Sequence, residues 1–161
     1  AAYRTHKITS WIPQYCLQYD GTEENPDDVL QRKVVVAPCH GDIQVTIIDG
    51  KLTLRMDQRS ADFPIGVPSN TIQYAALTLA IAHLLHVEPE LFIHDCHDSQ
   101  IYTVHEGDVN ALLSREAKHF PTMHLTDEGK GLTSLFDFRS KHFELTDYDP
   151  RPAMTLAGAV V

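Results

Sequence analysis

The chain has 161 residues, enough for one compact domain with a sizeable core. At 43% hydrophobic and 22% charged it lies far from the composition of a disordered segment. A formal net charge of -9 argues against broad electrostatic binding to nucleic acid or an anionic membrane. The longest apolar run, Ala75 to Leu85, is too short to span a bilayer and is broken by Thr78 and His83.

In chain order, the N-terminal residues from Ala1 carry no apolar export-signal core, and the turn-rich stretch Tyr19 to Asp28 reads as a surface loop. Strand-like runs follow at Val34–Val36, Ile43–Ile48 and Leu52–Met56. Asp49-Gly50 between the last two predicts a hairpin. After an irregular run from Arg59 to Pro68, Ser69–His86 reads as a long, largely buried helix starting at the cap signals Pro68-Ser69-Asn70. Short strands are expected at Leu91–Ile93, Ile101–Val104 and Phe143–Leu145. A helix capped by Asp108 is expected to reach Lys118, and an ordered or semi-ordered tail to run from Pro150 to Val161. The order of elements predicts one α+β domain over residues 1–161, a mixed β-sheet with a long buried central helix.

Three cysteines, Cys16, Cys39 and Cys96, are too few and too odd for a disulfide framework and point to a reducing, cytoplasmic compartment. Cys39 lies between Pro38 and His40, where one strand-like run ends and another is about to begin. A thiol at such a bend can face a cavity and act as a nucleophile, although a free cysteine is more often buried and inert. Gln58-Arg59-Ser60-Ala61-Asp62 joins a guanidinium, a hydroxyl and a carboxylate, suited to forked binding of a phosphate or to a solvated turn. His94-Asp95-Cys96-His97-Asp98 invites a zinc reading. Neighbours on a strand point to opposite faces, however, so no metal is expected.

Several separated motifs share one order and spacing. They are Ala37-Pro38-Cys39-His40, Asp49-Gly50-Lys51-Leu52, Gln58-Arg59-Ser60-Ala61-Asp62, Gly66-Val67-Pro68-Ser69-Asn70, Asp98-Ser99-Gln100-Ile101-Tyr102, Leu113-Ser114-Arg115-Glu116 and Tyr148-Asp149-Pro150-Arg151-Pro152. Together they resemble the catalytic C-terminal portion of the thymidylate synthases. The resemblance runs from Val34 to Val161, and Arg4 resembles more loosely an arginine of the family's opening segment. The family's N-terminal region has no counterpart among these residues.

The resemblance implies transfer of a one-carbon unit from 5,10-methylenetetrahydrofolate to C5 of dUMP, giving dTMP. Cys39 is then the nucleophile that adds to the pyrimidine ring. It implies Arg59 and Ser60 on the nucleotide phosphate, Asp62 near pyrimidine and folate, Asn70 on the base edge and Tyr102 on the sugar hydroxyl. It further implies Val160 in a tail that closes over the folate, and a homodimer in which Arg4 reaches the partner's phosphate site. Gln100 stands where the family carries a histidine. The rival readings are a pyrimidine nucleotide hydroxymethylase of the same family and a catalytically silent member serving as a binding or structural subunit.

Overall fold

The computed structural model describes residues 3–16 and 36–156, with side chains described from residue 6. A four-stranded mixed sheet is formed by β1 (Tyr3–Ile8), β2 (Asp42–Ile48), β3 (Lys51–Asp62) and β4 (Glu88–Gln100), in that spatial order. β2 and β3 make the expected hairpin. Ile48 pairs with Lys51 across a two-residue turn in which Asp49 and Gly50 have φ of 51° and 77°, a conformation that Asp and Gly adopt most readily.

Period-two alternation decides how β3 packs. Leu52, Leu54, Met56 and Gln58 turn inward and are buried, while Lys51, Arg55 and Arg59 face out. The strand does not give way to an irregular run at Arg59. It continues to Asp62 because β4 lies parallel to it and pairs Ser60 with Asp98, Ala61 with Ser99 and Asp62 with Gln100. The same pairing merges the expected short strand at Leu91–Ile93 into one of 13 residues. A backbone partner along the whole length keeps even the charged stretch Asp95–Asp98 extended. The strand expected over Ile101–Val104 is absent, and Thr103–His105 forms a 3₁₀ turn instead.

The crossover between the parallel strands is α2 (Gly66–Leu84), 19 residues long. It starts before the expected cap residues, so Pro68 falls in the first turn, where its missing N–H costs nothing. Asn70, Tyr74, Thr78 and Ala82 form an i, i+4 stripe against the sheet. The opposite face, with Thr71, Ile72 and Gln73, is exposed, so the helix buries one side rather than most of its surface. Tyr74 and Ala82 join Ile43, Val45, Leu52, Leu54 and Met56 in the core, with Leu77, Ile81, Val87 and Phe92 packed around it.

Beyond the sheet, α3 spans Glu106–Leu113 rather than Asp108–Lys118. Its N-cap is His105, which leaves Glu106 and Asp108 in the first turn, where they complement the helix dipole. A second, antiparallel pair joins β5 (Thr122–Leu125) to β6 (Phe143–Thr146), and β6 falls where a late strand was predicted. The short helices α1 (Pro13–Cys16) and α4 (Asp127–Lys130) complete the α+β architecture. No helix among the described residues is long and apolar enough to cross a membrane. The expected loop Tyr19–Asp28, the strand residues Val34 and Val35, and the tail from Ala157 onward, Val160 included, lie outside the described residues.

Candidate active site

The inward face of β3 changes character along its length. Leu52, Leu54 and Met56 are fully buried, and the next inward position is an amide, Gln58, at 2% exposure. Polar groups therefore begin where the parallel strands β3 and β4 approach their carboxyl ends, the end at which sheets of this kind bind ligands.

Cys39 sits in a loop beside that end, half-buried and free of any disulfide. Arg59 holds the loop. Its backbone N–H donates to the Cys39 carbonyl at 2.9 Å, Nε to the Pro38 carbonyl at 2.8 Å and Nη2 to the Ala37 carbonyl at 2.7 Å. The same Nη2 lies 3.5 Å from Cys39 Sγ, a donor complementary to a thiolate. Trp11 stacks on the guanidinium with 5.6 Å from Cζ to the ring centroid.

The segment after β1 pins the loop from the other side. Ser10 Oγ donates to the His40 carbonyl at 3.0 Å. Gly41 permits this approach, because a Cβ there would stand 2.5 Å from Ser10 Oγ and its φ is 114°. His40 Nδ1 meets the Tyr74 hydroxyl at 2.8 Å, which ties the loop to α2. Burial first, and then the charge of Asp42, raise the Tyr74 pKa above the ordinary tyrosine value.

Asn70, buried in the first half of α2, faces Gln58. Gln58 Nε2 donates to Asn70 Oδ1 at 3.2 Å and to the Ser60 carbonyl at 2.9 Å, while its Oε1 meets His94 Nε2 at 2.8 Å. Asp62 ends β3, and its buried Oδ1 has no hydrogen-bond partner among the described residues. A Cβ on Gly66 would lie 3.6 Å from Asp62 Cβ and 3.7 Å from Asn70 Oδ1, so these two side chains flank one glycine. Tyr102 follows β4, and its hydroxyl accepts from Gln100 Nε2 at 3.1 Å. The Gln100 carbonyl accepts from the Phe63 N–H at 3.0 Å, which joins Tyr102's approach to the end of β3.

Cys39 and Arg59 are thus in direct contact. Gln58 links Asn70 to Ser60, and Asp62 and Tyr102 occupy the same end of the strand pair. Arg4 falls in β1, and its side chain lies outside the described residues. The histidine-rich run divides between faces as expected of a strand: His94 turns to Gln58, while Asp95 pairs with Arg55 at 2.5 Å. Burial, followed by Asp95, raises the pKa of the Cys96 thiol, disfavouring its thiolate. Among the described residues no group of three His, Cys, Asp or Glu side chains converges on a point.

Gln58 was singled out from sequence only as part of its motif, and His94 only as a candidate metal ligand. The available signal was Gln58's place two residues beyond Met56, in register with the core face, where a polar side chain needs a partner. A depression of about 930 Å³ lined by His119, Leu145, Asp147, Tyr148 and Asp149 contains none of the predicted site residues, and it holds neither a thiol nor a guanidinium.

An α+β fold with a thiol, a guanidinium and an amide at the carboxyl end of a parallel strand pair defines a class of site suited to covalent chemistry on a polar, anionic substrate. Residues 21–160 match the family described as Thymidylate synthase, and the chain belongs to that family. At family level it is related to the methyltransferase-like enzymes of nucleotide biosynthesis that transfer one-carbon units.

Proposed function

We propose that the protein converts dUMP to dTMP with 5,10-methylenetetrahydrofolate, through a covalent adduct at Cys39. Carbon C5 of uracil is a weak nucleophile in the free base. Addition of the Cys39 thiolate at C6 makes the ring an enolate, which gives C5 the electron density to form a bond to carbon, and later elimination frees the sulfur. The bound folate supplies the one-carbon unit and the hydride that completes the methyl group.

Arg59 and Ser60 bind the 5′-phosphate in this reading, with Arg59 also positioning the sulfur. Asn70 recognises the base edge and Tyr102 the sugar hydroxyl. Asp62 serves both pyrimidine and folate. Its unpartnered buried oxygen fits a ligand that brings N–H donors, as a pterin does. Val160 is assigned to the folate, and Arg4 to the phosphate site of a second copy in a homodimer. Residues 1–161 form one catalytic domain in this reading, acting in the cytoplasm.

The observation that carries the proposal is the 3.5 Å contact of Arg59 with Cys39, which sets a basic, anion-binding group beside the only thiol of the motif. Incubation with dUMP and methylenetetrahydrofolate is expected to yield dTMP and dihydrofolate in equal amounts. Hydroxymethyl-dUMP with tetrahydrofolate would transfer the assignment to the hydroxymethylase, and neither product would leave a silent family member.

A further inference from the structure

The amide of Gln58 has only one orientation compatible with its neighbours. Both hydrogens of Nε2 go to acceptors, the Ser60 carbonyl and Asn70 Oδ1. Turned over, Gln58 would set its own oxygen against those two oxygens. Its Oε1 then faces His94 Nε2 at 2.8 Å, and since an amide oxygen offers no hydrogen, the contact requires the proton on Nε2 of His94.

His94 is held for this task. Its ring stacks on Phe92 at 5.6 Å between centroids, and Phe92 stacks in turn on Tyr74 at 6.1 Å. Nδ1 lies 3.4 Å from Thr71 Oγ1, whose own hydrogen is directed to the Val67 carbonyl at 2.8 Å. The short bond to Gln58 is therefore the ring's main polar contact. Burial also lowers the pKa of His94, a tendency opposed by Asp95 and reinforced by His40, which favours the neutral ring this arrangement uses.

We infer that His94 is a positioning residue for base recognition, acting through Gln58 on Asn70. The inference rests on the proposed use of dUMP. With Oδ1 of Asn70 taken up by Gln58, its Nδ2 hydrogens are what the amide has left to offer a ligand. An amide held this way presents a donor to a carbonyl such as O4 of uracil. It cannot turn over to accept from the amino group of cytosine without losing its bond to Gln58. His94 supplies the donor that keeps Gln58 itself from turning.

The test is calorimetric titration of the full chain, wild type and variants, with dUMP and with dCMP, alongside the thermal midpoint. His94→Phe keeps a ring beside Phe92 and removes the N–H. It is expected to reduce the dUMP to dCMP affinity ratio roughly tenfold, the equivalent of one lost hydrogen bond. His94→Gln, which retains an N–H near the Nε2 position, is expected to restore most of the ratio. A folded His94→Phe protein with the wild-type ratio overturns the inference while leaving the dUMP assignment intact. A wild-type protein that binds neither nucleotide overturns the assignment and the inference with it. Should His94→Phe not fold, Gln58→Glu gives the same reading: its carboxylate cannot donate to Asn70 Oδ1, and an unchanged ratio would again reject the role of His94.

Discussion

Arg59 and Cys39 are joined twice, by the 2.9 Å bond from the Arg59 N–H to the Cys39 carbonyl and by the 3.5 Å approach of the guanidinium to the sulfur. The strand β3 thereby fixes both the height of the Cys39 loop and the environment of its thiol. The guanidinium already donates to two carbonyls of the same loop, so the loop and the Arg59 side chain form a single unit. A change at either residue should be felt at both the covalent step and the phosphate.

Lysine at position 59 keeps the charge but not the fork. It cannot reach the Pro38 carbonyl, the Ala37 carbonyl and the sulfur in one geometry. Arg59→Lys is expected to slow covalent capture of 5-fluoro-dUMP about 10²-fold and to weaken dUMP binding, with little change in thermal midpoint. Stopped-flow measurement of adduct formation checks this, and an unchanged rate would mean that the contact does not serve the thiol.

Only Cys39 should carry the adduct. Cys16 is buried, and Cys96 has a thiol whose ionisation burial and Asp95 disfavour. Intact-mass spectrometry in the presence of folate is expected to detect the adduct in Cys16→Ser and Cys96→Ser, and to find none in Cys39→Ser. An adduct surviving in Cys39→Ser would remove the residue from the mechanism.

The hairpin of β2 and β3 was legible in the sequence because Asp49-Gly50 and the alternation of Leu52, Leu54 and Met56 are both local signals. The length of β4 was not, because it depends on pairing with β3, a partner distant in sequence, and Pro89, Asp95 and Asp98 interrupt any apolar pattern. The start of α2 lies ahead of its apparent cap signals for a related reason. Ser69 and Asn70 look like caps, yet Asn70 is drawn into the helix, where it packs toward Gln58. Local chemistry thus named Cys39 and Arg59 as candidates, and the resemblance added Asn70, without indicating that one sheet end would collect them. The relation between Gln58 and His94, 36 positions apart, arises from the parallel pairing of β3 with β4, which sets His94 beside Met56, one inward position before Gln58.

Leu54 is completely buried at the centre of the core, between the sheet and α2. Its replacement by alanine combines lost transfer energy with a cavity, and is expected to cost about 3 kcal/mol by chemical denaturation. A loss below ~1 kcal/mol would show that the core collapses around the deletion.

Tyr74 supplies a pH test with a definite sign. Its folded pKa is raised by burial and by Asp42, so ionisation is harder in the folded chain than in the unfolded one. The resulting stability is fully present below the ordinary tyrosine value of about 10 and is lost as pH rises through the higher folded value. The thermal midpoint is expected to fall less steeply above pH ~10 in Tyr74→Phe than in the wild type. Parallel profiles would mean that the hydroxyl titrates alike in both states.

Asn70→Asp tests the donor that the proposed function assigns to the base edge. An aspartate oxygen still accepts from Gln58 Nε2, so the buried bond at 3.2 Å survives and the fold should tolerate the change. What disappears is the Nδ2 pair of hydrogens, replaced by an oxygen that accepts when ionised. Uracil offers the carbonyl O4 at this edge and loses its donor, whereas cytosine offers an amino group and gains an acceptor. The expectation is a dUMP affinity lowered by roughly 10- to 100-fold together with measurable dCMP binding. Because Cys39 and Arg59 are untouched, whatever nucleotide does bind should still form an adduct if it carries a 5-fluoro group. Calorimetry with both nucleotides separates this from general damage, which would weaken the two alike. Equal losses for dUMP and dCMP would place base selection at some residue other than Asn70.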